Sequence, residues 1–204
     1  MNQADSHTAA ALKHLARDPK LGKLAKKVVL PAWPDEETDL FQDIVESIIN
    51  QQLSGKAAAT IYGRVKALLP GGKVQPQSIL KVPDEKLRAA GMSRAKVAYV
   101  KGVAQAVAGR EIDLEKLKDL PDEEVITELI KLKGVGRWTA EMLLMFALRR
   151  PDVFSLGDMG LRNAVAKHFQ VDHGDLKKIE ELSLTWRPYR TTAARLLWHS
   201  LESK

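Results

Sequence analysis

The chain has 204 residues, 45% of them hydrophobic and 28% charged, which suits one or two folded domains and excludes a disordered or fibrous polymer. There is no Cys, so disulfides, cysteine-ligated zinc, a thiol nucleophile and a cysteine-bound iron–sulfur cluster are excluded. No apolar run approaches the ~20 residues that a membrane helix needs. The first residues, with Asp5, His7, Lys13 and His14 among alanines, do not read as a signal peptide, and an intracellular protein is expected.

Lys plus Arg number 32 against 26 Asp plus Glu, a net charge of +6. The charge is segregated. Residues 31–50 hold Asp35, Glu36, Glu37, Asp39, Asp43 and Glu46 and no base. Residues 54–73 hold Lys56, Arg64, Lys66 and Lys73, and residues 92–110 hold Arg94, Lys96, Lys101 and Arg110, neither with an acid. Residues 131–150 set Lys131, Lys133, Arg137, Arg149 and Arg150 against Glu141 alone. Basic segments of this kind fit a face for a polyanion. By charge alone, solvated helix surfaces are the simpler account.

Ala, Leu, Lys and Glu crowd helical windows and β-branched alternation is rare, which predicts an all-α fold. Short helices are predicted over Thr8–Ala16 and Leu21–Val29, then a break from Pro31 to Pro34. Apolar residues at 41, 44, 45, 48 and 49 give Leu40–Gln51 one buried face. A joint at Leu53–Gly55 leads to a helix reaching about Leu69, closed by Pro70-Gly71-Gly72. One turn at Ser78–Leu80 and a helix at Pro83–Ala90 closed by Gly91 follow. Ser93 caps a helix through Val107. A turn at Asp113–Lys118 precedes a helix opened by Pro121-Asp122. Another runs from Arg137 to about Leu148, then an extended loop from Pro151 to Gly157. Helices from Asp158 to Phe169, Asp175–Leu184 and Tyr189–Leu201 complete the chain. There is no internal repeat or long linker.

Between two of these helices lies Leu132-Lys133-Gly134-Val135-Gly136. The glycines permit a sharp turn. The second helix begins with unpaired N–H groups, and its dipole adds to their attraction for a phosphate oxygen. Lys133 and Arg137 flank the site. Such contacts hold a DNA backbone without reading sequence. A helix C-cap at Gly134 and a turn residue at Gly136 explain the glycines about as well.

The run Leu132-Lys133-Gly134-Val135-Gly136-Arg137-Trp138-Thr139-Ala140 resembles the helix-hairpin-helix of the DNA glycosylase superfamily, in which a Gly/Pro-containing loop and an essential Asp follow. Here Pro151-Asp152-Val153-Phe154-Ser155-Leu156-Gly157-Asp158 follows, with Asp158 22 positions beyond Gly136. Ile48-Ile49-Asn50-Gln51-Gln52-Leu53-Ser54 is similar to the 3-methyladenine DNA glycosylase II branch. So are Gly91-Met92-Ser93 with Lys96 and Tyr99, and Trp186-Arg187-Pro188-Tyr189-Arg190 with Trp198. The matches span about residues 40–200. The chain resembles the compact, yeast-like members, without the N-terminal β-rich domain of larger bacterial ones.

The resemblance implies a two-lobed all-α fold with a cleft between lobes, one unit over residues 1–204. The expected lobes are about 36–120, and 121–204 together with 1–35. It implies that Asp158 stabilises positive charge at C1′ of a flipped nucleotide. An N-cap role for Asp158 coexists with that, since the helix start favours an anion. Asp152 reads as structural. Trp138, Met142 and Trp198 are implied to line the base pocket, by stacking and cation–π attraction; Met142 stands where larger bacterial members have Tyr. Both tryptophans could instead be core.

Lys133, Gly134, Val135, Gly136, Arg137 and Thr139 are implied to hold the DNA backbone. Gln52 or Leu53 is implied to fill the gap a flipped base leaves, although Leu53 as core and the glutamines as caps explain that corner equally. Carbonyls of Ile130, Leu132 and Val135 are implied to hold a monovalent Na+ or K+, with no other cofactor and no iron–sulfur cluster. Strand-nicking relatives carry a nucleophilic Lys where this chain has Trp138, so a monofunctional enzyme is expected. His168 and His173 read as surface residues rather than metal ligands, and Lys20, Lys23, Lys26 and Lys27 as a solvated helix face.

These implications converge on excision of alkylated purines from damaged duplex DNA by a monomer in cytoplasm and nucleoid, or in the nucleus of a eukaryote. A glycosylase for oxidised or deaminated bases and a non-catalytic DNA-binding or damage-sensing module are the alternatives. Base release from methylated DNA, with Asp158→Asn as control, separates the three.

Overall fold

The structure, a computed structural model, describes residues 3–33 and 39–202. Pro34 at the end of the predicted break and Asp35, Glu36 and Glu37 of the acidic run lie outside the described residues. Among the described residues there are twelve α-helices, two 3-10 turns and no strand, so the fold is all-α. In chain order the helices are α1 (Gln3–Leu15), α2 (Pro19–Lys27), α3 (Leu40–Asn50), α4 (Gly55–Ala67), α5 (Pro76–Lys81), α6 (Asp84–Ala89), α7 (Arg94–Ala108), α8 (Asp122–Leu129), α9 (Arg137–Phe146), α10 (Met159–Phe169), α11 (Leu176–Leu184) and α12 (Arg190–Glu202).

Short polar side chains start many of these helices. Asp18, Asp39, Ser54, Ser93, Asp158 and Asp175 each accept first-turn N–H groups of the helix they precede. Such a cap contributes about 1 kcal/mol.

The expected helices differ from the observed ones in length. The turn predicted at Ser78–Leu80 is the six-residue α5. Pro76 starts it at its first position, and it packs along α7 with Ile79 buried. The turn predicted at Asp113–Lys118 is a 3-10 turn over Lys116–Asp119. The helix predicted to reach Leu148 ends at Phe146, and α1 already begins at Gln3.

By contact the chain divides into two compact units, Thr38–Leu148, and Met1–Glu37 with Arg149–Lys204. The sequence reading placed the hairpin around Gly134 with the C-terminal lobe. By contact it groups with the central helices, because α9 packs on α3 and α8. In this central unit α3 buries Leu40, Phe41, Ile44, Val45, Ile48 and Ile49. Each fully buried aliphatic side chain contributes about 1.5–3 kcal/mol. Val97, Val100 and Val103 of α7 and Leu143, Leu144 and Met145 of α9 add to the same core.

In the other unit Trp186 is fully buried, its ring 5.7 Å from Phe154 and 5.3 Å from Phe169. Its Nε1 donates to Asp18 Oδ2 at 3.3 Å while Asp18 Oδ1 caps α2. One carboxylate therefore fixes both a helix start and a buried indole. Arg195 is buried too, stacked 4.0 Å over Trp33 and donating to the Pro31 carbonyl. His168 departs from its surface reading: its Nε2 is 2.8 Å from Ser200 Oγ, on an α10 that packs against α12. His173 and Lys20, Lys23, Lys26 and Lys27 are exposed.

Candidate functional site

The loop over residues 151–157 ends at Asp158 and is tied down along its length. Thr191, in the first turn of α12, donates its N–H to the Pro151 carbonyl at 3.0 Å. Its hydroxyl donates to the Arg150 carbonyl at 2.6 Å and accepts the Val153 N–H at 3.0 Å. Asp152 takes Arg190 Nε on Oδ1 at 2.8 Å and Arg187 Nε on Oδ2 at 3.2 Å. That network occupies Asp152, in keeping with its structural reading, and it delivers the chain to Asp158 along a fixed path. Val153, Phe154 and Ser155 are buried below it.

Asp158 is the N-cap of α10. Its Oδ1 accepts the Leu161 N–H at 2.7 Å and Trp198 Nε1 at 2.9 Å. The cap and the indole bond share one oxygen, so the carboxylate plane is set by two donors from different helices. Trp198 is half-buried on α12 and is coupled to Asp158 rather than being only core.

Gly160 was missed by the sequence reading. A Cβ there would lie 3.1 Å from Asp158 Oδ1 and 3.3 Å from Trp198 Cδ1 and Nε1. The indole reaches the carboxylate because this position has no side chain. A glycine near an acid at a helix start is ordinary in sequence, and only the fold reveals its neighbour from α12. Gly160→Ala should raise or preserve stability, since Ala gains about 1 kcal/mol over Gly in a helix. It should nevertheless slow any reaction that needs Asp158 and Trp198 in register, by about tenfold for a few tenths of an ångström of displacement. Single-turnover rates beside melting curves measure both. An unchanged rate would remove Gly160 from the site.

In the central unit, α8 and α9 form the hairpin. Gly134 has φ +96°, and a Cβ there would meet Tyr99 Cγ and Cδ2 at 2.6 Å and Tyr99 Cβ at 2.8 Å. Gly136 precedes α9 as an N-cap with no side-chain cap bond, so backbone donors at the start of α9 suit an external anion. Leu132 and Val135 are buried, and the Leu132 carbonyl accepts the Val135 N–H at 3.0 Å.

The expected phosphate contacts split at this point. Lys133 is exposed. Arg137 instead bridges Glu123 Oε1 at 2.7 Å and Glu141 Oε1 at 3.0 Å, stapling α8 to α9. The Arg137 hydrogen bond is the main cause holding the Glu123 carboxyl below its usual value. Thr139 is buried. For Arg137 and Thr139 the group suited to phosphate is therefore the backbone N–H and not the side chain, whereas the expected contact from Val135 is not offered, because its side chain is buried and its N–H is already donated to the Leu132 carbonyl.

Trp138 is 44% exposed on the first turn of α9, with half-buried Met142 one turn on. A core role for Trp138 is excluded by that exposure. The corner after α3 is also exposed: Gln52 has φ +57° and Leu53 is 39% accessible. Leu53 is not core. Gln51 turns inward, its Nε2 donating to the Gly134 carbonyl at 2.9 Å. Lys96 Nζ donates to the Ile49 and Gln51 carbonyls, both at 2.7 Å.

Residues 45–188 match the family model described as HhH-GPD superfamily base excision DNA repair protein. DNA-3-methyladenine glycosylase 1 of Schizosaccharomyces pombe is 34% identical over 166 residues, 80% of this chain and 73% of that protein. The crystal structure of a DNA-3-methyladenine glycosidase from Bacillus halodurans superposes with TM-score 0.82 at 36% identity, covering 95% of this chain and 89% of that one. A Schizosaccharomyces pombe 3-methyladenine DNA glycosylase in complex with abasic DNA gives TM-score 0.84 at 32% identity, covering 95% and 97%.

Proposed function

The chain belongs to the HhH-GPD superfamily of base excision DNA repair proteins, and from that premise we propose that it is a monofunctional DNA glycosylase that hydrolyses the N-glycosidic bond of alkylated purines in duplex DNA. The observation that carries this reading is the Asp158 carboxylate, held by Leu161 N–H and Trp198 Nε1 at the end of an anchored loop.

Cleavage breaks the bond between C1′ and the base nitrogen, and its electron pair leaves with the base. A 3-methylpurine already carries positive charge, so it departs as a neutral molecule and needs little acid assistance. Positive charge then develops on the sugar, where a fixed carboxylate stabilises it. Water adds at C1′ and loses a proton, leaving an abasic site. Trp138 offers an exposed ring to a cationic base, an attraction worth about 0.5–2 kcal/mol. The backbone N–H groups at the start of α9 and Lys133 hold a phosphate, and Gln52 or Leu53 fills the vacated stack. The hairpin position that would need a nucleophilic lysine for strand cleavage holds Trp138, which supports hydrolysis without nicking.

Release of methylated purines from alkylated duplex DNA, with the strand left intact until alkali is added, tests the proposal. No release from methylated, oxidised or deaminated DNA would leave a DNA-binding module. In this reading a single copy of the chain acts where the cell keeps its DNA. No helix among the described residues is long and apolar enough to cross a membrane.

We further propose that the carbonyls of Ile130, Leu132 and Val135, in the turn after α8, would hold a hard monovalent cation, since all three donors are oxygen; Leu132 has one oxygen lone pair already engaged by Val135 N–H. Exchanging Na+ and K+ for tetramethylammonium at constant ionic strength should weaken binding to abasic-site duplex several-fold. Equal affinity in the two salts removes the cation from the reading.

A further inference from the structure

The corner that carries Gln52 and Leu53 is an exposed turn with a left-handed, non-glycine residue at its tip. A strained and solvent-facing turn keeps its shape better when the chain leading into it is fixed from outside. Here the entering shoulder is held twice. Gln51 Nε2 donates to the Gly134 carbonyl, 83 residues away in the hairpin. The Lys96 ammonium reaches from the first turn of α7 to the Ile49 and Gln51 carbonyls at 2.7 Å each. Those oxygens lie at and just past the C-terminus of α3, where carbonyls lack helical partners and the dipole favours a cation.

We infer that Lys96 is a positioning residue that braces this corner for insertion into the duplex, acting together with the bond between Gln51 and the Gly134 carbonyl. The inference rests on the glycosylase reading and deepens it. Ser93 caps α7 and places Lys96 on its first turn. Lys96 is half-buried, and burial lowers its pKa. A lysine serving only solubility would keep its ammonium in water. Here the ammonium is partly desolvated and gives two of its donors to the carbonyls that lead into the corner. When Gln52 or Leu53 enters the stack, the base pairs press back on the turn. The brace keeps that load from relaxing Gln52 out of its left-handed conformation, and the bond to Gly134 keeps the corner in register with the phosphate-binding turn.

Lys96→Met, which keeps the aliphatic stem, and Lys96→Arg, which keeps two donors, test this in the full chain. The direct readout is 2-aminopurine fluorescence in a duplex with the probe beside a tetrahydrofuran abasic analogue, because insertion at the gap unstacks the probe. Lys96→Met should lose most of the fluorescence rise at saturating protein, and Lys96→Arg should recover most of it. Excision from methylated duplex should fall about tenfold in Lys96→Met, as expected for the loss of a charge-assisted hydrogen-bond pair. Excision from methylated single strands should stay at the wild-type rate. A full fluorescence rise in Lys96→Met overturns the inference, as does an equal loss on duplex and single strand, which marks a merely structural lysine. If the wild-type protein releases no base from either substrate, the glycosylase reading falls, and the fluorescence comparison alone decides the brace.

Discussion

Asp158→Asn is expected to abolish base release while leaving the fold and DNA affinity nearly unchanged. The amide has the same shape as the carboxylate, and its oxygen accepts the two hydrogen bonds that Asp158 Oδ1 takes from Leu161 N–H and Trp198 Nε1. Asn ranks with Asp as an N-cap, so the start of α10 is preserved, with a stability change within about 0.5 kcal/mol. The charge opposite a developing sugar cation is removed, and loss of one such electrostatic partner slows a reaction about a hundredfold to a thousandfold. Affinity for an abasic-site duplex should stay level or tighten slightly, because one negative charge has gone. Asp158→Ala is the poorer test, since it also discards a cap worth about 1 kcal/mol. Single-turnover release, melting and anisotropy on the same preparation separate the effects. Turnover near the wild-type rate in the Asn variant would refute the assignment of Asp158. A rate loss matched by loss of structure would return it to a capping role alone.

The parts legible in the sequence are those that depend on neighbours in the chain. The helix starts at Ser93 and Asp158 were read from capping side chains that reach only three residues onward. The glycine corner of the hairpin and the position of Asp158 after it were read from local spacing and the resemblance. What escaped depends on residues far apart in sequence. Nothing near Gly160 announces that Trp198 lies beside it, and nothing near Arg137 announces Glu123, 14 residues away across the hairpin. Arg137 looked like a phosphate ligand because its charge was visible and its partners were not. His168 looked exposed for the same reason, its Ser200 partner being 32 residues distant. The length of α5 was underestimated because a six-residue helix owes its existence to packing on α7 rather than to propensity.

Gly134→Ala should have the largest effect on the central unit, acting on stability and DNA binding together. Two penalties add. The backbone there has φ +96°, a region that costs an L-residue about 1–2 kcal/mol. The new Cβ would also stand 2.6 Å from Tyr99 Cγ and 2.8 Å from Tyr99 Cβ. Those atoms are the root of the side chain and cannot swing aside as a flexible end would, so α7 or the hairpin must shift, at about 1–3 kcal/mol for overpacking. A total of about 2–5 kcal/mol predicts a melting point lower by roughly 4–20 °C in a chain of this size. Any relaxation moves the Gly134 carbonyl off Gln51 Nε2 and tilts the start of α9, so affinity for abasic-site DNA should fall at least about tenfold even below the melting range. Adding Tyr99→Gly, which removes all three contacting atoms, divides the two causes when Tyr99→Gly alone serves as the reference. The double variant regains what the steric clash took and keeps the penalty of the left-handed backbone. A single variant as stable as the wild type would refute both penalties, and a double variant that regains nothing would mean that Tyr99 does not press on Gly134 and that the turn is glycine there for conformation alone.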